Sequence, residues 1–366
     1  MSEDMKKTDT SRRDLLKTLG STAAVAGAAG ISAAGAQAQP STASAGAKAP
    51  PPQGPYALPW TPPDPDVPGR QSVARIPDDY FIPERFKGKT VLVTGCARGM
   101  GRMAAVRLAR EGANVVAVDW LNDEGRAVVE GIRKEGGKAV FLAGDIAEDK
   151  VCADMVRLAV STYGGLDAAL NNAGVMDAIH PSQSIDYAKQ KSLAMARIHE
   201  ASDDYWHVVM RVNATGTFYS LRHELRQMMA QGRGGAIVNV ASVAGLRGFG
   251  GTPSYVASKH AVNGLTKNAA IDYAPYGIRV NSVCMGTTVT PMYERAFELI
   301  KQRTMTGQKD SGISMMKIRS LLEFSDQKKM GSSAAEQVAI MLFLLSPEAS
   351  NITGANYATD GGFTAY

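Results

Sequence analysis

The sequence predicts an α/β fold: a doubly wound parallel sheet in a single domain that spans residues 84–366. Three observations support this prediction. Short apolar segments alternate with longer amphipathic stretches along the chain, a pattern typical of a parallel sheet covered by helices on both faces. The first segment runs through a glycine-rich turn into a helix, as in dinucleotide-binding folds. The domain has about 280 residues, which is ample for a large core.

The first unit consists of a strand, a glycine turn and a helix. Residues 89–95 form a short apolar strand that enters the turn, and the amphipathic run 102–110 follows it. Gly95, Gly99 and Gly101 let the backbone turn tightly and approach a pyrophosphate, which the N-terminus of the helix also attracts. This unit therefore predicts dinucleotide binding.

A carboxylate follows the second apolar strand, residues 113–118. Asp119 lies 24 residues after Gly95, near the spacing expected for a side chain that binds the adenosine ribose hydroxyls. A carboxylate there would repel a 2′-phosphate, so Asp119 favours NAD over NADP. Arg98 argues the other way, because a basic group in the glycine turn could meet that phosphate.

Further strands lead to polar sequences or glycine-rich loops. Residues 139–143 precede Asp145-Ile146, and residues 166–170 precede the sequence Asn-Asn-Ala-Gly at 171–174. Two more apolar strands follow, at 236–240 and 278–283. In an open parallel sheet, ligands bind outside the carboxyl ends of the strands, where these sequences lie.

Ser242, Tyr255 and Lys259 indicate proton transfer. Ser242 follows a strand, and Tyr255 and Lys259 are four residues apart on the next helix, so they share one face. A free phenol has a pKa of about 10 and is a poor base at neutral pH. A nearby ammonium lowers that pKa, so the tyrosine could exchange a proton with an alcohol or carbonyl. A lone Tyr-x-x-x-Lys pair is also common on helix surfaces, where it has no catalytic role. The nucleotide-binding motifs earlier in the chain favour the catalytic interpretation.

These motifs occur in order with fitting gaps, and residues 86–366 resemble a classical short-chain dehydrogenase/reductase, a Rossmann-fold family. The resemblance implies that Tyr255 is the general acid/base and that Lys259 lowers its pKa. Ser242 would orient the substrate oxygen, and Asn213 would complete a proton relay through a water. The resemblance also implies a homo-tetramer.

The resemblance assigns the nucleotide site as well. Asp145 and Ile146 would flank the adenine, and the loop with Thr288 and Thr290 would pass the nicotinamide carboxamide. The expected cofactor-binding residues are Gly95, Arg98, Gly99, Met100, Gly101, Asp119, Trp120, Asp145, Ile146, Asn172, Ala173, Gly174, Tyr255, Lys259, Thr288 and Thr290. For Asn172 and Asn213 a structural alternative stays open beside the functional one, in which each is a buried amide that satisfies backbone groups.

Two segments are longer than in the shortest family members. The first is an insertion at about 177–202, which is polar and compatible with helix. The second, at about 292–330, is rich in methionine and leucine, and is either an added helix pair or a lid over an apolar substrate. Both could border one mouth, which would favour a bulky or hydrophobic alcohol or ketone.

The N-terminal part of the chain does not look like part of the domain. Residues 1–38 contain Arg12-Arg13, a weakly apolar segment and the small-residue site 36–38, which resembles a twin-arginine (Tat) signal peptide. We therefore expect export by the Tat machinery, to the periplasm. Residues 39–83 hold 12 of the 17 prolines and form a Pro-rich linker.

Composition excludes several other classes. The net charge is +5, without a basic stripe that would suggest nucleic acid. No stretch is long and apolar enough for a stable membrane span. Cys96, Cys152 and Cys284 are too dispersed for a disulfide framework or a metal site.

The predicted function is hydride transfer between NAD(H) and a secondary alcohol or ketone, with a Ser-Tyr-Lys-Asn proton relay. The alternatives are an NADP-dependent carbonyl reductase and a non-catalytic protein that senses a nucleotide or ligand. A protein of the second kind should have lost part of the relay, and none of its four residues is missing.

Overall fold

The computed structural model describes residues 73–305, 320–324 and 327–365. The expected signal peptide (1–38), most of the expected linker (39–72) and part of the expected lid (306–319 and 325–326) lie outside the described residues. The strands are β1 (Thr90–Thr94), β2 (Asn114–Asp119), β3 (Lys138–Ala143), β4 (Ala168–Asn171), β5 (Gly235–Val240), β6 (Ile278–Met285) and β7 (Asn356–Thr359). The helices are α1 (Gly99–Arg110), α2 (Asn122–Lys134), α3 (Asp149–Tyr163), α4 (Tyr187–Gln190), α5 (Asp203–Met210), α6 (Gly216–Gln231), α7 (Pro253–Tyr273), α8 (Pro291–Met305) and α9 (Ala334–Leu345).

The seven strands form one parallel sheet in the order β3-β2-β1-β4-β5-β6-β7. Strand β1 pairs with β2 on one side and with β4 on the other. The strand order therefore reverses between β1 and β4, and open sheets of this kind bind ligands beyond the carboxyl ends of the strands at such a point. The predicted doubly wound α/β fold is confirmed.

Each face of the sheet carries its own core. Val91 and Val93 pack into the core beneath α1, α2 and α9, whereas Leu92 packs into the core beneath α3, α6 and α7. Strand β1 is therefore buried on both faces. This burial explains why its sequence is continuously apolar rather than alternating.

Helix α7 carries the predicted catalytic pair. It begins at Pro253, whose fixed φ suits the first helical turn and whose missing N–H costs nothing there. Tyr255 therefore lies in the first turn and Lys259 one turn later, on the side that faces β5 and β6. Within the described residues, no helix is long and apolar enough to cross a membrane.

Candidate active site

The glycine turn after β1 brings several backbone segments close together. Gly95 has a φ of +69°, and a Cβ on it would lie 2.8 Å from the Cα of Ala173. A Cβ on Gly101 would lie 1.9 Å from the carbonyl oxygen of Gly95. Only glycine permits such approaches. The turn and the N-terminus of α1 can thus lie against a pyrophosphate, as the sequence predicted.

A cavity of about 350 Å³, here called the nucleotide cleft, lies at the carboxyl ends of β1, β2 and β4. Its walls include most of the predicted cofactor-binding residues: Gly95, Arg98, Gly99, Met100, Asp119, Trp120, Asp145, Ile146, Asn172, Ala173, Gly174 and Thr290. Gly101 packs behind the turn. Thr288 lies away from the cleft wall, because it is buried and its hydroxyl is 3.1 Å from that of Ser332.

Asp119 ends β2 at the wall of the cleft. Its carboxylate accepts hydrogen bonds from the backbone N–H groups of Ala97 and Leu121, at 2.8 and 2.9 Å. Burial raises the pKa of the Asp119 carboxyl, and these donors oppose that shift. Arg98, across the turn, donates two hydrogen bonds to the carboxylate of Glu124. Glu124 was not predicted as a site residue, and the local sequence marks it only as an acidic residue in the first turn of α2.

The pair Asp145-Ile146 follows β3, as predicted. The Asp145 carboxylate lies 3.0 Å from the guanidinium of Arg211, which also reaches Glu148 at 3.5 Å. Ile146 packs against Gly216, where a Cβ would lie 2.8 Å from the Ile146 Cδ1 atom. The absence of a side chain at Gly216 thus fixes how closely α6 approaches the predicted adenine site.

The Asn172 amide satisfies backbone groups, which is one of the two roles that the sequence left open. Its side-chain amide donates to the backbone carbonyls of Thr94 and Gly95, at 3.0 and 3.1 Å. The Thr94 hydroxyl in turn accepts from the N–H groups of Asn172 and Ala173, both at 3.1 Å. These bonds tie the glycine turn to the end of β4, and the same residue lines the cleft.

Asn213 lies in a short π-helical segment, Arg211–Thr215, between α5 and α6. Its side chain accepts from the N–H of Val175 and donates to the carbonyl of Val175, both at 2.8 Å. It also donates to the Ser258 hydroxyl at 2.9 Å. Segments of π-helix are frequent at functional sites. Here the segment holds the loop after β4 against helix α7.

Ser242, Tyr255 and Lys259 converge where β5 ends. The Ser242 hydroxyl lies beside the Tyr255 phenol and acts to lower the phenol pKa. The Lys259 Nζ lies 5.6 Å from the centre of the Tyr255 ring and donates to the Val240 carbonyl at 2.8 Å. The predicted convergence of hydroxyl, phenol and ammonium is present.

This group adjoins the nucleotide cleft through Gly174. A Cβ on Gly174 would lie 3.1 Å from the Asn213 Oδ1 atom and 3.4 Å from the Lys259 Nζ atom. Gly174 itself lines the cleft. Asn213 and Lys259 therefore adjoin the cleft at Gly174, and Tyr255 lies next to Lys259.

Comparison with known proteins decides the family. Residues 89–300 match a protein family described as short chain dehydrogenase. The chain belongs to the short-chain dehydrogenase/reductase family. It is therefore an oxidoreductase that acts on alcohol or ketone groups with a nicotinamide cofactor.

Individual short-chain dehydrogenases cover nearly all of the described domain. The chain is 40% identical over 290 residues to a 3beta-hydroxysteroid dehydrogenase of Mediterraneibacter gnavus, covering 78% of this chain and 98% of that protein. It is 34% identical over 287 residues to a cyclohexanol dehydrogenase of an Acinetobacter species, covering 78% and 99%. The crystal structure of a short chain dehydrogenase from Mycobacterium paratuberculosis bound to NAD is similar at a TM-score of 0.65 and 26% identity, covering 77% of this chain and 100% of that one.

Burial favours the neutral forms of two ionisable side chains in the active site of this dehydrogenase, Lys259 and Tyr255. It lowers the pKa of Lys259 to about 8. It raises the pKa of Tyr255, against the opposing effect of the Ser242 hydroxyl. The net pKa of the phenol is therefore raised rather than lowered as predicted, because the effect of burial outweighs the interactions that stabilise the phenolate. The phenol is protonated at neutral pH and can donate to a carbonyl oxygen.

The insertion at 177–202 packs against α8 and does not stand apart. Asp177 and Arg295 form an ion pair at 3.4 Å, and Arg295 also donates to the Ile179 carbonyl at 2.9 Å. Buried apolar side chains from both segments share one cluster: Ile179, Tyr187, Ala194, Met195 and Leu299. The sequence analysis expected these two segments to border one mouth, and they do, along the outer wall of the nucleotide cleft.

The insertion also reaches the opposite wall of the cleft. The rings of His180 and Trp120 lie 5.6 Å apart between centroids. Pro181 and Ile179 line the cleft together with Met292 of α8. Together these residues form a roof over the nucleotide cleft, which we call the insertion roof. The insertion roof could not be predicted from spacing along the chain, because Trp120 follows β2 whereas His180 belongs to the insertion.

The three cysteines are free and buried. Burial raises the pKa of Cys96 and of Cys152 to about 12, so both stay as unreactive thiols at neutral pH. Among the described residues, no group of three or more His, Cys, Asp or Glu side chains could hold a metal ion.

Proposed function

We propose that this dehydrogenase interconverts a secondary alcohol on a ring with the corresponding ketone, using NAD(H). The observation that carries the proposal is the convergence of Asn213, Ser242, Tyr255 and Lys259 beside Gly174. The ring substrate is favoured because two relatives are a 3beta-hydroxysteroid dehydrogenase and a cyclohexanol dehydrogenase, enzymes named for ring alcohols. A ring alcohol is also the kind of bulky apolar substrate expected from the sequence.

The residues of the cleft fit a dinucleotide. The glycine turn is a cradle that a Cβ on Gly95 or Gly101 would fill, and the Asp119 carboxylate keeps lone pairs for ribose hydroxyls. NAD is favoured over NADP because Arg98, the one basic group that argued for NADP, is held by Glu124. A 2′-phosphate near Asp119 and Glu124 would meet two carboxylates.

The side chains of this chain supply placement and proton handling, whereas the nicotinamide ring, when bound, accepts or donates the hydride. In ketone reduction, the Ser242 hydroxyl holds the carbonyl oxygen and Tyr255 donates its phenol proton to that oxygen. In alcohol oxidation, the same oxygen atom returns its proton to the phenolate. Lys259, as a cation, stabilises that phenolate, and Asn213 holds the loop after β4 in register with α7.

An absorbance screen tests this proposal. Purified protein is checked for co-purified nucleotide and then assayed, at the absorbance band of reduced nicotinamide, with NAD and NADP against panels of cyclic and open-chain secondary alcohols and ketones. We expect turnover with NAD(H) and a ring substrate. Turnover restricted to NADP(H) would contradict the cofactor assignment, and turnover restricted to open-chain substrates would contradict the substrate class.

We further propose export through the Tat pathway to the periplasm, supported by the paired arginines and the small-residue site of residues 1–38. The test is a fusion of residues 1–47 to a reporter that is active only after export. Replacing Arg12 and Arg13 by lysine should abolish the signal. An unchanged signal in the lysine variant would contradict this route.

An exported dehydrogenase has no obvious pool of soluble nucleotide, so we propose that the cofactor is loaded before export and released slowly. The contact of the insertion roof with Trp120 supports slow release. We expect Trp120→Ala to speed nucleotide release about tenfold, as followed by displacement of bound NADH in a stopped-flow fluorimeter. Trp206→Ala, at an exposed site outside the cleft, is the control. Fast loss of nucleotide from the wild-type protein on gel filtration would contradict the proposal.

A homo-tetramer remains our proposal for the assembly. Two long helices, α6 and α7, carry exposed apolar side chains, among them Phe218 and Ile271, which are 44% and 76% exposed. Light scattering of the purified protein should give four times the mass of one chain. Ile271→Lys should reduce that mass, and a wild-type monomer would contradict the proposal.

A further inference from the structure

The segment before β1 crosses the outside of the domain and is anchored at two ends. At one end Glu111, which is fully buried, accepts from the Ile82 N–H at 3.1 Å and from Arg85 at 2.7 Å. Tyr80 lies beneath the guanidinium of Arg107, at 4.9 Å from its ring centre. These contacts lie at the C-terminal end of α1, far from the glycine turn at its other end.

The second anchor lies at the start of α9. Arg75 donates to the Gly331 carbonyl at 2.6 Å, and its guanidinium lies 3.9 Å from the Glu336 carboxylate. Glu336 also pairs with Lys329 at 2.8 Å and caps α9 reciprocally with Ser333. Helices α1 and α9 pack side by side and both begin at the carboxyl edge of the sheet. Residues 75–85 therefore run from the bottom of the domain to the edge that carries the active site.

The residues next to Gly331 are bonded to the loop after β6. The Ser332 N–H donates to the Thr287 carbonyl at 2.9 Å, and the Val289 N–H donates to the Ser332 carbonyl at 3.0 Å. A Cβ on Gly331 would lie 2.9 Å from the Thr287 side chain. We call this contact the Ser332 pairing. It is a tight connection between the segment before α9 and the loop that leads to α8.

The Ser332 pairing lies between two cavities. On one side, Thr290 lies against Gly99 of the glycine turn, with 3.4 Å between its side chain and a Cβ built on that glycine. On the other side is a second cavity of about 280 Å³, lined by Gly331, Ser332, Phe249 and Val243 among others. Val243 directly follows Ser242. The pairing therefore lines the second cavity, and Thr290, which directly follows Val289 of the pairing, lines the nucleotide cleft.

We propose that Arg75 is a positioning residue: by holding Gly331 and Glu336 it fixes the Ser332 pairing, and through the pairing it positions one wall of the second cavity and Thr290 at the nucleotide cleft. The proposal rests on the proposed function where it concerns nucleotide and substrate. The last residues of the predicted linker (39–83) are then a working part of the domain, because Arg75 connects this segment to the loop after β6.

The test compares Arg75→Ala with two other variants of the full-length chain. Arg75→Lys keeps a donor and a positive charge and should restore most of the function. Lys87→Ala, on the same segment, removes only an exposed ion pair with Glu84 and is the matched control. For each protein we would measure the NADH dissociation constant, kcat and KM for the alcohol, and amide hydrogen exchange of the peptides that span 287–292 and 329–336.

In Arg75→Ala, the amides of Val289 and Ser332 should exchange faster, and NADH Kd and alcohol KM should rise about tenfold with a smaller change in kcat. Faster exchange in the lysine variant equal to that in the alanine variant, or unchanged exchange in Arg75→Ala, would overturn the proposal. The exchange readout does not need enzymatic turnover, so an inactive wild-type enzyme would refute the proposed function while leaving this test intact. If Arg75→Ala does not fold, Arg75→Gln, which keeps an N–H donor without the charge, is measured in the same way, and unchanged exchange in it is equally decisive.

Discussion

The two ends of the nucleotide cleft are built differently. The adenosine end carries two carboxylates, Asp119 and Asp145. The guanidinium groups near them belong to Arg98 and Arg211, whose side chains are 41% and 44% exposed. At the catalytic end, Lys259 is buried and bonded to a backbone carbonyl. Exposed ion pairs contribute little to stability, whereas a buried charge must be compensated. Substitutions at the adenosine end can therefore change the cofactor preference with little loss of stability. A substitution of Lys259 at the catalytic end would instead abolish most of the catalytic activity.

The largest effect is expected at the catalytic end. Lys259→Gln removes the cation that stabilises the Tyr255 phenolate, so kcat for alcohol oxidation should fall roughly a thousandfold. Steady-state kinetics with saturating NAD measure this loss. Lys267→Gln, at an exposed position on the same helix, is the control and should retain full activity. A loss of only a few-fold in Lys259→Gln would place the essential cation elsewhere.

A smaller effect, confined to cofactor choice, is expected at the adenosine end. Combining Asp119→Ser with Glu124→Gln removes two carboxylates and releases Arg98 to meet a 2′-phosphate. The ratio of kcat/KM for NAD to that for NADP should fall on the order of a hundredfold, with kcat on the better cofactor nearly unchanged. A ratio that stays constant would show that the selection is made by other residues.

Glu224 is a second buried ionisable group outside the cleft. This side chain is fully buried, accepts from the Asn171 amide at 3.0 Å, and burial raises its pKa to about 7. A pKa that folding raises gives stability that is present at low pH and lost as the pH rises through the folded value. Between about pH 4.5 and pH 7 the wild-type protein should therefore lose stability that Glu224→Gln retains.

We expect the difference to reach about 2 kcal/mol between pH 5 and pH 8. Urea unfolding of both proteins at the two pH values measures it. Glu130→Gln, at an exposed position on α2, should follow the wild-type curve. Parallel pH dependence in wild type and Glu224→Gln would mean that Glu224 is ionised in the folded state throughout this range.

The sequence predicted what short-range pattern determines. The buried strands, the glycine turn and the pairing of Tyr255 with Lys259 on one helix face all follow from local spacing, and the parallel sheet then brings their ends to one edge. Contacts between distant segments were not predictable. Arg98 meets Glu124 from 26 residues away, Arg295 meets Asp177 from 118 residues away, and neither partner is marked by any motif.

The same limit applies to two further observations. The Thr288 hydroxyl lies 3.1 Å from that of Ser332, a partner 44 residues further along the chain that no local pattern marks. The phenol of Tyr255 was expected to have a lowered pKa, but the amount of water excluded around it is a property of the packed fold. The local sequence identifies the ionisable groups, whereas tertiary packing determines which protonation state each group favours.

The most direct test of the central claim is nucleotide binding and turnover measured together on Tyr255→Phe, with Tyr273→Phe on the same helix as the control. The claim is that the Tyr255 phenol transfers the proton while other groups bind the cofactor. It predicts that Tyr255→Phe binds NADH with a wild-type dissociation constant and loses nearly all turnover, whereas Tyr273→Phe loses neither. Near-normal turnover in Tyr255→Phe would contradict the claim.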